Sequence, residues 1–453
     1  MAPTVQEDGS SSVTSSPLHF FSMMSLSPGS AHPWLKELKS EERGLYLIHL
    51  LLTCANHVAN GSLESANVAL DQISQIASPD GDTMQRIASY FTDALANRIL
   101  KSWPGLYRAL NSARMLMAHE EILVQKLFLE LFPFLKIVYT VANQAIMEAM
   151  EGEKMIHVID LCSAEPAQWV ALLQALSVRP EGPPHLRITG IHQQKAVLDQ
   201  MAQRLNAEAE RLDIPFQFNP VVSNLECLDF DRLRVKTGEA LAISSILQLH
   251  KLLSWDDETV RLRLPDKPPN YNHGTFGELL EKDAGISPDS TSSSPLSSKM
   301  DSFLMELRNL LPKVMVVAEQ DSNHNGSSLM ERLTEALYYY AALFDCLEST
   351  VSRASLERLK IEKILFGEEI KNIIACEGRD RKERHEKLCK WVRRLGAAGF
   401  GAVPLSCLAM LLARRLLQGY GCDGYRIKDE NGSIVLCWQD RALFSVSAWR
   451  CRR

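Results

Sequence analysis

Apolar residues recur along the first third of the chain at the three- and four-residue spacing of an amphipathic helix. From Trp34 to about Met150, Leu45, Ile48, Leu51, Leu52 and Ala55 share one face, and SANVALDQISQIA and MQRIASYFTDALANRILK repeat the spacing. Pro79-Asp80-Gly81-Asp82 interrupts two of these segments, so the pattern predicts several helices before any strand. At residue 155 the period changes: MIHVIDL is a short β-branched run of the kind that fills strands buried on both faces of a parallel sheet. Similar runs at 155–161, 186–192, 215–222, 240–247 and 313–319 alternate with helical segments at 167–178, 195–212 and 328–348, the order of βαβ units. Near the C-terminus Asn431-Gly432 separates two alternating runs, a tight-hairpin signal, and ALFSVSAW follows. The expected fold is α/β: a Rossmann-like, class I methyltransferase-like core with an N-terminal helical cap and a C-terminal antiparallel hairpin.

Polar stretches set the expected boundaries. Residues 1–33 are serine-rich and aperiodic, a disordered tail that buries too little apolar surface to offset its ordering entropy. Residues 34–453 form the domain, with a mainly helical, leucine-rich cap at 34–150 and the core at 151–453. A flexible loop is expected at about 254–299, where 7 of the 12 residues at 287–298 are serine. Lysine plus arginine number 49 against 55 aspartate plus glutamate, a net charge of −6 that gives no whole-protein field favouring nucleic acid. The ten cysteines include no C-x-x-C pair, and no apolar run is long enough to span a membrane, so they read as reduced thiols in cytosol or nucleus.

A methyltransferase-like sheet holds its cofactor with glycines after strand one and an acid ending strand two. Here the first turn, Asp160 to Pro166, has no glycine, and strand two ends in Gly190-Ile191-His192-Gln193, without the acid. Asp160 then reads as a capping or loop-bonding residue and His157 as a hydrogen-bonded core histidine. Hydrolase-elbow, zinc-protease, Walker and EF-hand motifs are all missing. The chain is therefore expected to be no enzyme, with no catalytic residue, cofactor or metal. A rival reading is a methyltransferase-like or small-molecule-binding enzyme using the strand-one crevice.

Binding is the better-marked chemistry. L-x-x-L-L occurs at Leu47–Leu51, Leu249–Leu253, Leu307–Leu311 and Leu408–Leu412, and such a stripe can dock into a partner groove. The first copy is the best candidate, with Leu47, Leu50 and Leu51 as partner-binding residues, because it lies outside the sheet. Residues 379–394 carry eight basic and three acidic side chains. They read as a solvated amphipathic helix burying Leu388, Trp391 and Val392, with Arg381, Glu383, Arg384 and Glu386 in one ion-pair network. The rival is a phosphate-contacting face of a direct DNA-binding factor. Trp438 and Trp449 are expected to pack at the sheet edge.

Together these motifs resemble the plant GRAS family of transcriptional regulators, from about residue 34 to the end. The segment 156–161, with His157, Val158, Ile159 and Asp160, is similar to the family's VHIID signature, and Gln168-Trp169 follow in PAQW. Pro312, Tyr339, Tyr340, Arg381, Glu383, Arg384 and Glu386 resemble the PFYRE region, and Trp391, Trp438, Ser447, Ala448 and Trp449 the SAW region. Cys162 and Pro166 depart from the acid and glycine common there. The resemblance implies a nuclear coregulator acting through protein–protein interaction in gibberellin signalling and plant development. The partners it implies are DELLA-type GRAS repressors and C2H2 zinc-finger factors of the indeterminate-domain type, with homo- or heterodimers among GRAS proteins and only indirect DNA contact. The N-terminus lacks the DELLA sequence, so the hormone-degraded repressor itself is not expected.

Overall fold

The computed structural model describes residues 39–111, 118–162, 164–255 and 298–452; the tail at 1–33, residues 256–297 of the polar loop and Ser163 lie outside them. The chain forms two compact units that divide at Thr92/Asp93. In the first, α1 (Ser40–Ala59) carries Glu41 and Glu42 in its first turn, where carboxylates meet the positive helix end. Its buried face is Tyr46, Leu47, Leu50, Leu51, Cys54 and Ala55, while Leu45 is exposed, so the apolar stripe is rotated from the expected one. That face packs with α2 (Leu63–Ser74), which buries Ala66, Ala69 and Ile73. The helix α3 (Thr83–Leu100) carries the chain into the second unit.

The second unit contains α4 (Pro104–Asn111), α5 (Ala118–Leu131), α6 (Phe134–Ala149) and a nine-stranded sheet. Strands β1 (Met155–Asp160), β2 (His185–His192), β3 (Phe216–Val222), β4 (Ala240–Ile246) and β5 (Val314–Gln320) run parallel. Around them lie α7 (Ala167–Ser177), α8 (Lys195–Arg211), the single turn α9 (Leu249–Leu252), α10 (Lys299–Asn309), α11 (Leu329–Thr350), α12 (Leu356–Lys360), α13 (Glu368–Ala375), α14 (Leu388–Ala397) and α15 (Cys407–Gln418). A π-helical segment, Ile361–Gly367, joins α12 to α13. The sheet closes with β6 (Phe400–Val403), β7 (Tyr425–Glu430), β8 (Ser433–Trp438) and β9 (Arg441–Cys451), in the order β3-β2-β1-β4-β5-β9-β8-β7, with β6 also on β9. This is the expected Rossmann-like core with its antiparallel end. Asn431 (φ 54°) and Gly432 (φ 80°) make the β7–β8 turn, the left-handed pair that a two-residue hairpin requires.

The division at 92/93 differs from the expected one at 150, and α6 shows why. It packs on β5, β9 and α7 and buries nine residues, so it belongs to the sheet's core although it precedes the first strand. Trp449 is also placed differently from expectation: β9 lies between β5 and β8, so Trp449, paired with Met315, is interior and shares a core with Trp391, Leu395 and Phe400. Trp438 ends β8 against Tyr425, and its indole N–H donates to Asp345 Oδ2 (2.7 Å).

Candidate functional site

The C-terminal ends of β1, β4 and β5 border a cavity of about 530 Å³, the place where an open α/β sheet puts its ligands. Asp160, Gln168, His250, Glu369 and Glu383 supply polar lining, and Phe128, Trp169 and the π-helical Phe366 supply apolar wall. At the edge where a nucleotide would lie, the chain satisfies itself. Asp160 Oδ1 accepts the Cys162 N–H (3.0 Å) and Oδ2 accepts the Trp169 indole N–H (2.7 Å). Glu165 Oε1 accepts the Ala167 N–H (3.2 Å), placing the chain's own carboxylate at the N-terminus of α7 that would otherwise receive a phosphate. Burial raises the Glu165 pKa. Asn143 donates to the Gln168 carbonyl (2.8 Å), tying the start of α7 to α6.

His157 faces the opposite side of the problem, deep in the sheet. Nδ1 lies 3.0 Å from Arg187 Nη2, which can only donate, so Nε2 carries the proton and donates to Thr189 Oγ1 (2.8 Å). Burial and then the Arg187 charge push the His157 pKa down to about 4. Arg187 is itself held by Glu239, its Nε donating to Oε1 (3.0 Å). None of these groups lines the cavity.

Across the sheet, titratable groups converge of which sequence reasoning named Glu383 and Tyr340 but not His250, Glu319, His324, Glu369 or His385. Glu319, at the buried end of β5, caps α9: Oε1 accepts the N–H groups of Gln248 (3.2 Å) and Leu249 (2.8 Å), and Oε2 lies 2.6 Å from His250 Nδ1. His250 Nε2 is 3.1 Å from Glu383 Oε2, and His385 Nε2 is 3.2 Å from the same oxygen. His385 Nδ1 meets His324 Nδ1 at 2.9 Å, and His324 Nε2 meets Ser322 Oγ at 3.0 Å. Burial opposes charge on His250, but the Glu319 and Glu383 carboxylates outweigh it and raise its pKa to about 9. Glu369, which accepts the Tyr340 hydroxyl (2.7 Å), is raised to about 7 by burial and then by the neighbouring Glu383 charge. The sequence signal for this cluster was hidden in other patterns: His250 within a leucine stripe, Glu319 at the end of an apolar strand, His385 inside a run of charges.

Residues 379–394 are not one helix. A 3-10 turn, Gly378–Asp380, is followed by an irregular segment at 381–387 that buries Arg381, Arg384, His385 and Glu386; the α-helix is Leu388–Ala397, and Val392 is exposed. Among the four expected network members, Arg384 Nε donates to the Arg381 carbonyl (2.9 Å), and their other contacts reach outside the set. Arg381 donates to the His324 carbonyl (3.0 Å), Arg384 to Asn325 Oδ1 (3.0 Å) and the Gly378 carbonyl (2.9 Å), Glu386 accepts from Arg394 (2.7 Å), and Glu383 faces the histidines. Arg381 and Arg384 are buried and so supply none of the exposed basic surface of this run.

The GRAS domain model matches residues 47–450. The chain belongs to the GRAS family. It is 64% identical to Scarecrow-like protein 3 of Arabidopsis thaliana, with 100% of each chain covered. To the DELLA protein RGL1 of Arabidopsis thaliana it is 34% identical over 92% of this chain and 72% of that one. The crystal structure of SCL7 from Oryza sativa superposes with a TM-score of 0.71 at 29% identity, covering 89% of this chain and 99% of that one. The chain is thus a GRAS-family transcriptional regulator with the mixed α/β GRAS fold.

The GRAS motif residues fall into three places. Asp160, Gln168, Trp169 and Glu383 line the cavity. Val158, Ile159, Trp391, Ala448, Trp449 and Pro312, just before β5, are buried packing. Tyr339 donates to the Leu443 carbonyl (3.0 Å), and Ser447 accepts the Trp449 indole N–H (2.9 Å). The leucine stripes separate as sharply. Leu47, Leu50 and Leu51 are 0%, 5% and 0% exposed, so the stripe expected to dock a partner is the packed face of α1. The Leu249 copy is also buried. The Leu307 copy buries Leu307 but exposes Leu311, and at Leu408–Leu412 α15 buries Ala409 and Ala413, leaving Leu408 49% and Leu411 62% exposed.

Proposed function

We propose that this GRAS protein is a nuclear transcriptional coregulator that acts by protein–protein contact in gibberellin signalling and plant development, brought to promoters by DNA-binding partners. The full-length likeness to Scarecrow-like protein 3 carries the reading. Its partners are C2H2 zinc-finger factors of the indeterminate-domain type and DELLA-type GRAS proteins, and DNA contact is indirect. The chain acts without catalysis, a reading supported by Asp160 and Glu165, whose carboxylates are engaged by the chain's own N–H groups where a nucleotide cofactor would need room.

The docking surface belongs on α15, where Leu408 and Leu411 stand exposed with Arg414 and Arg415 beside them. Burying two leucines against a partner contributes about 1.5–3 kcal/mol each. Leu408→Ala with Leu411→Ala should therefore weaken capture of a purified indeterminate-domain factor by more than about tenfold. Being exposed, the pair should alter folding stability by under about 1 kcal/mol. Unchanged affinity in the folded double variant removes α15 as the surface; failure of the wild-type chain to bind any such factor removes the coregulator reading.

A further inference from the structure

We propose that His250, Glu383 and His385 form a binding site for one divalent zinc ion at the floor of the cavity, a property that neither the fold nor the regulatory reading requires. One nitrogen of each histidine and a carboxylate oxygen lie within 4.8 Å of one another. Two of the separations are 3.1 and 3.2 Å. Ligands each about 2.0–2.1 Å from a tetrahedral zinc ion are about 3.3 Å apart, so an ion fits with small side-chain adjustment. Two histidines and one glutamate are a donor set that zinc accepts with a further position open. His250 and Glu383 also line the cavity, so water or a small molecule there can supply that position.

The surroundings are built as metal sites are built. A ligating histidine is oriented by a partner on its other nitrogen, commonly a carboxylate. Glu319 holds His250 Nδ1 at 2.6 Å, and Glu319 is itself fixed by two backbone N–H groups. On the other side, His385 Nε2 is fully buried and, though 3.2 Å from Glu383, is oriented so that it makes no hydrogen bond. An ion on that nitrogen leaves the His385 proton on Nδ1 and gives every later contact one donor and one acceptor. His385 Nδ1–H donates to His324 Nδ1 (2.9 Å), His324 Nε2–H to Ser322 Oγ (3.0 Å), and the Ser322 hydroxyl to Glu335 Oε1 (3.0 Å). With the His385 proton on Nε2 instead, Ser322 must turn its hydroxyl to His324 and lose Glu335. Zinc on His250 Nε2 displaces to solvent the proton that this nitrogen donates to Glu383, and the dication then balances the Glu319 and Glu383 carboxylates.

The test uses the full chain, stripped with a chelator and titrated with zinc chloride by calorimetry, with cobalt(II) absorption as a second probe. One equivalent should bind, and cobalt should give visible bands without sulfur-to-metal charge transfer. His385→Ala should abolish this binding. Glu319→Gln, which keeps the three ligands and the shape of the cap, should weaken it about 10- to 100-fold, so the proposal is decided even if His385→Ala does not fold. No zinc uptake by folded wild-type protein, affinity unchanged in Glu319→Gln, or a thiolate charge-transfer band pointing to the cysteines would overturn it.

Discussion

Asp160 lies in the signature strand, and its role is decided by what it holds. It accepts hydrogen bonds from the Cys162 N–H, part-buried, and from the Trp169 indole, buried. A bond to a charged acceptor contributes about 1.5–3 kcal/mol. Asp160→Ala should then cost about 3–6 kcal/mol, a large part of the roughly 5–15 kcal/mol a typical protein has. Trp169→Phe removes the indole bond with modest loss of volume and should cost about 2–3 kcal/mol. If the aspartate works through the tryptophan, the double variant costs less than the sum, by a coupling of about 1.5–3 kcal/mol, well above the roughly 0.5 kcal/mol scatter of independent sites. Urea unfolding of the full chain, followed by circular dichroism and by tryptophan fluorescence, measures this; both probes are needed because the chain has two compact units. An aspartate kept for a ligand behaves differently, since removing it from ligand-free protein leaves stability unchanged or improved. Costs below about 1 kcal/mol for Asp160→Ala, or strict additivity with Trp169→Phe, would refute the structural role.

Further outcomes follow from the same geometry. Trp449→Ala should cost about 3–5 kcal/mol because the ring is interior, whereas Trp438→Phe, losing mainly the Asp345 bond, should cost about 1–2 kcal/mol; equal costs in chemical denaturation would contradict the placement of β9. Titrating S-adenosylmethionine into the folded chain should release no heat, since Asp160 and Glu165 are already engaged; saturable micromolar binding would show that the turn opens. His157 supplies a pH dependence. Burial and the Arg187 charge lower its folded-state pKa to about 4, below the roughly 6.5 of an unfolded histidine, so between these values the unfolded chain binds more protons. Its contribution is complete above about pH 6.5 and declines as the pH falls towards 4, by up to about 3 kcal/mol. The stability difference between wild type and His157→Gln should shrink over that window, and a difference independent of pH would refute the assignment.

What the chain reveals without its coordinates follows the range of the interaction concerned. The change of period at residue 155, the buried strands and Asn431-Gly432 are local signals, and the sheet and hairpin were legible from them. The family motifs were legible for the same reason. Which face of a helix is covered is not local: Leu47 and Leu408 head the same pattern, but one is packed and the other open because of what lies against α1 and α15. The charged run at 379–394 misled for a related reason. Arg381 and Arg384 also donate to backbone carbonyls and an asparagine of neighbouring loops, so residues 381–387 are held in an irregular path that charge spacing reads as a helix. The His250 cluster was illegible because its members are up to 135 residues apart, Glu319 and His324 coming from β5 and its following loop, and His385 from beyond α13.

These placements separate two ends of one sheet that fold analogy treats as a single site. At β1, side chains close the crevice: Asp160 binds Trp169, Glu165 covers the helix N-terminus, and a proline leads into α7. At β4 and β5 the cavity stays open; there His250 is raised by the Glu319 and Glu383 carboxylates against its burial, and Glu369 by burial and then the Glu383 charge. The cavity's titratable groups thus lie across the sheet from that turn, in His250, Glu369 and Glu383. On the reading proposed above, α15 meets partners while the opposite demands of a buried polar cluster are met inside. Substitutions at the two places should then separate: those on α15 change binding without stability, and those around Glu319 and Glu383 change the interior without removing the leucines that a partner would meet.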